Sequence, residues 1–246
     1  MFHGDTTMID RAGHEAERPS TFADQVYGRI LSSIATGTFP MGSKLPSEKL
    51  LGERFGVSRP VVRDALSRLQ RDGLIESRKG SGSFVLSTPP EDLSAAADMA
   101  QIARYQRYQE FRLVVEGAAA ALAAERRTSA QLARIIDAHG RFISEIDNGQ
   151  FLWQSDREVH IAIAEAAGNE FFVESLEGPE VRLSDFMTVS LKLTSSRSPQ
   201  RGSLVAREHS NIVDAIRSRD AVAARIAMEF HLVQARRRML DKTLSP

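Results

Sequence analysis

The sequence predicts a mainly α-helical chain in two parts: an N-terminal helix-turn-helix unit carrying a small β-hairpin, and a C-terminal antiparallel α-helical bundle. Three observations predict it. Apolar residues recur at three- and four-residue spacing in two short segments on either side of Gly56. Two short runs, Leu74–Ser77 and Ser83–Leu86, flank a basic, glycine-bearing tip, Arg78-Lys79-Gly80-Ser81-Gly82. Beyond Pro89-Pro90, alanine-rich amphipathic segments follow one another without convincing strand alternation.

Length and composition set bounds on this reading. At 246 residues and 42% hydrophobic content the chain can fill two cores. Lysine plus arginine equals aspartate plus glutamate at 32 each, so whole-chain charge is silent about nucleic acid. Locally, residues 44–79 carry nine basic against five acidic side chains. The absence of cysteine excludes a disulfide framework, thiolate chemistry and Cys-ligated zinc. No apolar run approaches the roughly 20 residues of a membrane span, and the polar first twenty residues do not read as a signal peptide. A cytoplasmic location is expected.

Taken in order, residues 1–20 are polar and aperiodic and read as a disordered tail. The first domain is expected over 21–86. Val26, Ile30, Leu31 and Ile34 define a helix over 22–36, ended by Gly37-Thr38-Phe39-Pro40. Ser47 caps a second helix, which turns Leu50, Leu51 and Phe55 inward and stops at Gly56. Ser58 is placed to cap a third, whose core face is Val62, Ala65, Leu66 and Leu69, with Gly73 as its stop. Two helices joined through Gly56 make a helix-turn-helix, and the basic hairpin after them completes a winged helix.

In that arrangement the second helix of the motif enters the DNA major groove by its N-terminal residues, here Ser58, Arg59 and Arg63. Arginine offers a planar fork that pairs with guanine or phosphate. Lys79, Gly80 and Ser81 at the hairpin tip are placed to reach the neighbouring groove or backbone, where glycine allows close approach. Taken singly these arginines read as a solvated helix face; the coincidence of helix, turn, helix and basic wing favours the groove.

Leu45-Pro46-Ser47-Glu48, Phe55-Gly56-Val57-Ser58-Arg59-Pro60-Val61-Val62-Arg63-Asp64-Ala65-Leu66, Asp72-Gly73-Leu74-Ile75 and Gly80-Ser81-Gly82-Ser83-Phe84-Val85 resemble the winged-helix domain of the GntR family of bacterial transcription regulators. The resemblance implies DNA contacts from Lys49, Ser58, Arg59, Arg63, Lys79 and Gly80. Lys49 stands where arginine is often found; lysine keeps the phosphate charge and gives up the bidentate fork.

Residues 87–97 form the linker, because consecutive prolines exclude both helix interior and strand. The second domain, 98–246, is expected to dimerise and to bind a small effector. Its helices fall near 94–126, with a break around Gln101–Tyr105, then 129–147, 151–167, 170–192 with a break at Gly178-Pro179, 203–218 and 221–241. Asp156 and His160 are i and i+4 on one inward face. His209 and His231 are equidistant from Asp220, which caps the last helix, so an antiparallel hairpin brings the two imidazoles to one height. One carboxylate and three imidazoles form a ligand set for Zn²⁺, Ni²⁺, Mn²⁺ or Fe²⁺. The plainer account makes each histidine an ordinary core residue.

The segments Asp156-x-x-x-His160, Glu208-His209 and Phe230-His231-Leu232, with Asn169, resemble the metal-binding pattern of the all-helical FCD domain in the FadR-type branch of the family. The resemblance makes Arg112 a ligand for an effector carboxylate, while the alternative is a simple helix pair with Glu116. Trp153 reads as core, His139 receives no role, and Arg236, Arg237 and Arg238 read as a solvated helix end. The reading is a homodimeric regulator, more a repressor than an activator, that binds double-stranded DNA at a palindromic operator and answers to a carboxylic-acid effector beside a divalent metal, zinc first. It is not expected to be an enzyme. The alternatives are a metal-dependent hydrolase fused to a DNA-binding domain and an architectural protein with a structural metal.

Overall fold

The structure is a computed structural model that describes residues 21–89, 99–150, 153–177 and 199–240. Three helices and a hairpin form the N-terminal unit: α1 (Phe22–Ala35), α2 (Glu48–Phe55), α3 (Arg59–Arg71), β1 (Ile75–Arg78) and β2 (Gly82–Val85). The C-terminal part comprises α4 (Met99–Arg126), α5 (Ser129–Asp147), α6 (Trp153–Ala166), α7 (Pro199–Arg217) and α8 (Ala221–Leu240), with a further helical stretch over 170–177. The mainly α expectation therefore holds, with one antiparallel hairpin among the described residues.

Local chemistry explains the boundaries. Thr21 and Asp24 form a capping box that starts α1. Ser47 accepts from the Leu50 amide at the start of α2, and Gly56 ends that helix in the left-handed region at φ 69°. Ser58 takes the extended cap conformation before α3, but its side chain makes no capping hydrogen bond, contrary to expectation. Pro60, whose fixed φ suits a first turn, assists that start instead. The hairpin pairs Ile75 with Val85 through Arg78 with Gly82, one residue nearer the tip than the apolar runs suggest. Residues 43–45 run along β2 as a partial third strand, with Leu45 N–H donating to Ser83 O at 2.8 Å and Val85 N–H to Ser43 O at 2.9 Å.

Leu50 is 53% exposed, so it does not join Leu51 in the core. The step from 50 to 51 turns the helix by about 100°, and a helix of two turns has room for one inward stripe. No break occurs at Gln101–Tyr105: α4 runs unbroken from Met99. The proposed break at Gly178-Pro179 lies outside the described residues.

Two hydrophobic cores result. One is built on Tyr27, Ile30, Ile34, Leu51, Val62, Leu69 and Ile75, and it continues into Ile102, Ala103, Tyr105 and Tyr108 of α4 and Leu240 of α8, with Trp153 packed against it. The other fills the bundle with Ala120, Ile135, Phe142, Val159, Ile163, Ile212, Val213, Ile216 and Met228. Helix α4 thus spans both, and it packs most heavily on α8. No helix among the described residues is long and apolar enough to cross a membrane.

Candidate metal centre and DNA-binding face

In the bundle, α6 contributes Asp156 and His160, α7 contributes His209, and α8 contributes His231; all four are buried. Asp220 N-caps α8 through the Ala223 amide at 2.9 Å, which fixes the α7–α8 hairpin and brings the two imidazoles together. His209 Nε2 lies 3.3 Å from His231 Nε2 and 3.5 Å from Asp156 Oδ1. His160 Nε2 is 3.9 Å from Asp156 Oδ2 and has no hydrogen-bond partner. One donor atom from each of the four residues falls within 4.8 Å of the others.

This donor set fits a metal ion. Bonds of about 2.1 Å arranged tetrahedrally separate neighbouring donors by roughly 3.4 Å, close to the two shortest spacings. The ring orientations agree. His160 Nδ1 is held by Glu116, and His231 Nδ1 by Glu208 at 2.9 Å, which leaves each Nε2 turned to the centre. Behind these carboxylates stand arginines. Arg112 bonds Glu116, and Arg238 bonds both Glu208 oxygens at 2.5 and 2.9 Å.

Burial and charge set the protonation. Burial drives the His209 imidazole well below its ordinary value, and the neighbouring His231 and His160 push the same way. Burial also lowers His231, outweighing the Glu208 bond that raises it. Both therefore offer neutral lone pairs. His160 goes the other way: burial lowers it, but Glu116 raises it more, so protons compete with a metal there more than at the other two rings. Glu116, though burial pushes it up, is held well below the carboxylate range by Arg112 and His160.

Sequence reasoning found the four candidate ligands but missed Glu116 and Glu208 as partners of their rings. Glu208 adjoins His209, and Arg238 lies seven residues past His231 on the same helical face, which was the available signal. Arg112 sits beside the centre with its guanidinium engaged by Glu116. Asn169 accepts from the Phe171 amide and shapes the helical stretch after it. His139 lies 3.4 Å from the Ser210 hydroxyl. The expected solvated end of α8 is overturned: Arg238 is buried on Glu208, Arg236 bonds Asp72, and only Arg237 of the three is exposed. An arginine at a helix end can bury its stem and charge when carboxylates wait beneath it.

The N-terminal unit presents a different surface. Ser58, Arg59 and Arg63 lie exposed at the start of α3, and Lys79 and Gly80 are exposed at the tip of the wing. Gly80 has φ 73°, a conformation that costs glycine little. Arg63 reaches across to α2, donating from Nε and Nη2 to Glu48 at 3.2 and 2.9 Å. Lys49 pairs loosely with Glu53 at 3.8 Å.

Two family models match the chain. The family model "Bacterial regulatory proteins, gntR family" matches residues 22–85, and that of the FCD domain matches residues 108–234. Among curated relatives, the HTH-type transcriptional regulator LutR of Bacillus subtilis is 34% identical over 81% of this chain and 92% of its own. The Uxu operon regulator of Haemophilus influenzae is 30% identical over 87% and 80%. The HTH-type transcriptional repressor NanR of Klebsiella aerogenes is 30% identical over 90% and 87%. A solved structure, Streptococcus agalactiae GntR, aligns over 87% of this chain and 99% of its own at 28% identity and TM-score 0.44. The three curated relatives are named as regulators, and they lend the hydrolase alternative no support. The chain belongs to the GntR family of bacterial regulatory proteins, as a DNA-binding transcriptional regulator whose C-terminal half is an FCD domain.

Proposed function

We propose that this protein is a cytoplasmic homodimeric repressor that leaves its operator when a small carboxylic acid binds beside a metal, zinc first, in the FCD bundle. The observation that carries this reading is the convergence of Asp156, His160, His209 and His231 in a bundle joined to a DNA-binding unit. A relative from Escherichia coli carries the name "Putative L-lactate dehydrogenase operon regulatory protein", which supports a carboxylic acid as the class of effector. Ser58, Arg59 and Arg63 would read the major groove, Lys49 would bind phosphate, and Lys79 and Gly80 would follow the adjacent backbone. The metal, when bound, would supply a Lewis-acidic contact for the effector; Arg112 would contribute charge beside it.

Dimerisation is supported by an apolar stripe that is exposed among the described residues. Val222, Ile226 and Phe230 on α8 are 70, 60 and 51% exposed, and Val114 on the adjoining α4 is 67% exposed. A contiguous patch of this kind marks an interaction face. Two copies joined there would present two recognition helices to a palindrome, so each weak basic interface gains from the other.

The test is direct. Elemental analysis of the purified protein should give about one transition metal per chain. A thermal-shift screen of sugar acids, hydroxy acids, dicarboxylates and aromatic acids should then find a compound that stabilises the metal-loaded protein and lowers its affinity for an operator selected from genomic DNA. Equal operator affinity with and without every stabilising acid would refute the repressor mechanism.

A further inference from the structure

The recognition helix α3 ends on a carboxylate that belongs to neither solvent nor DNA. Asp72 is its C-cap residue and is 5% exposed. Its Oδ2 accepts from the hydroxyl of Tyr27, a fully buried residue of α1, at 2.6 Å. Its Oδ1 accepts from Nε of Arg236 on α8, and Arg236 Nη2 reaches Glu110 of α4 at 3.3 Å. Glu110 also takes the guanidinium of Arg71, the last residue of α3. The end of the recognition helix is therefore clamped by side chains of the two longest bundle helices.

The same stretch of α8 supports the metal centre. His231 precedes Arg236 by five residues, about 7.5 Å of helix. Arg238, half a turn beyond Arg236, holds Glu208, which holds His231 Nδ1. His231 and Arg236 stand on one continuous helix, so a displacement of His231 onto an ion, or off it, would be carried to Arg236. A buried ion pair tolerates such movement poorly, because a stretched pair leaves a desolvated charge without its partner.

We propose that Arg236 and Asp72 form a latch through which occupancy of the metal centre sets how firmly the recognition helix is held against the bundle. This rests on the proposal that the centre binds a metal. A second contact works beside it: Arg68 of α3 donates to Asp24 at 2.9 Å and to Ala103 O at 2.8 Å, while Arg107 of α4 donates to the same Asp24 at 2.8 Å. That contact is anchored on α4 and is independent of α8, so it holds the domains together when the latch opens. The latch is the element with two states, closed on Asp72 or withdrawn from it.

The experiment compares amide hydrogen exchange in the full-length protein, metal-free and loaded with Zn²⁺ alone, for wild type, Arg236→Gln, Arg236→Lys and Asp72→Asn. Zinc loading is expected to change exchange of the last turn of α3 at least threefold in wild type. Arg236→Gln and Asp72→Asn should bind zinc with unchanged stoichiometry but lose that dependence, and Arg236→Lys should recover part of it. Wild type that binds zinc without any change in α3 overturns the latch, as do Arg236→Gln and Asp72→Asn variants that keep the full zinc response. Wild type that takes up no zinc refutes the metal reading. In that case the latch is judged by α3 exchange in the metal-free Arg236→Gln protein, where a rate equal to wild type removes it. Asp72→Asn, a near-isosteric change on the other partner, separates loss of the latch from misfolding of one variant.

Discussion

The candidate metal centre and the recognition face use the same chemistry, an arginine forked onto a glutamate, and put it to opposite ends. In the bundle the side chains of Arg238 and Glu208 are 6 and 9% exposed. On the DNA-binding unit those of Arg63 and Glu48 are 68 and 36% exposed. A buried pair is committed, since removing one partner strands a desolvated charge at roughly 3–5 kcal/mol. An exposed pair is worth about 0–1 kcal/mol and can be exchanged for phosphate or a base edge without much loss. The pair in the bundle is fixed in one geometry, and the pair on the recognition helix is free to change partners.

Mutations break the comparison at different strengths. The largest effect should come from His231→Ala, which removes a ligand outright: metal content by elemental analysis should fall from about one per chain to near zero, while the winged helix still melts cooperatively. Glu208→Gln keeps the four ligands but loosens the ring of His231, and metal affinity by competition with a chelator should drop about 10–100-fold. Arg63→Ala should weaken operator binding by about 1–3 kcal/mol, roughly 5- to 150-fold, leaving metal content unchanged. Glu48→Gln sharpens the contrast from the other side: freeing Arg63 from its exposed partner should raise operator affinity severalfold at most, and a large loss instead would show that the pair positions the arginine.

The smallest effect concerns pH. Burial pushes the Asp24 carboxyl up, but bonds from Thr21 and Arg68 outweigh it and hold it below the ordinary 3.8. A depressed folded-state value contributes stability that is present above 3.8 and is lost as pH falls through the lower value. The melting-temperature gap between wild type and Asp24→Asn should therefore be widest near neutrality and should narrow with acidification below 3.8.

Legibility followed the same division. The helix-turn-helix could be read because glycine and serine mark its joints and apolar spacing marks its face, with Leu50 and the Ser58 side chain as local exceptions. The four candidate ligands could be read because i, i+4 spacing and symmetry about Asp220 are properties of helices alone. The supporting carboxylates could not, because Glu116 reaches His160 from a helix more than forty residues away in sequence, and nothing in α4 announces which turn faces α6. Arg236 and Arg238 misled for a related reason. Three consecutive arginines at a helix end look like a dipole-favoured, hydrated terminus until the tertiary fold brings Asp72 and Glu208 beneath two of them. The shared core was equally hidden, since proline-rich residues 87–97 suggested a clean division that Ile102, Tyr105, Tyr108 and Leu240 cross.

That crossing core has a consequence for how the protein is made. Leu240 and Arg236 complete the packing and the ion pairing of a unit whose other members emerge from the ribosome far earlier. A nascent chain released as far as the wing holds every residue of α1 to β2, yet one wall of their core and the Arg236 partner of Asp72 are still unsynthesised. Until α8 arrives, the recognition helix has only the α4 side of its contacts with the bundle, through Arg68, Asp24 and Arg107. The order of translation thus completes the helix-turn-helix first and the clamp on the end of its second helix last.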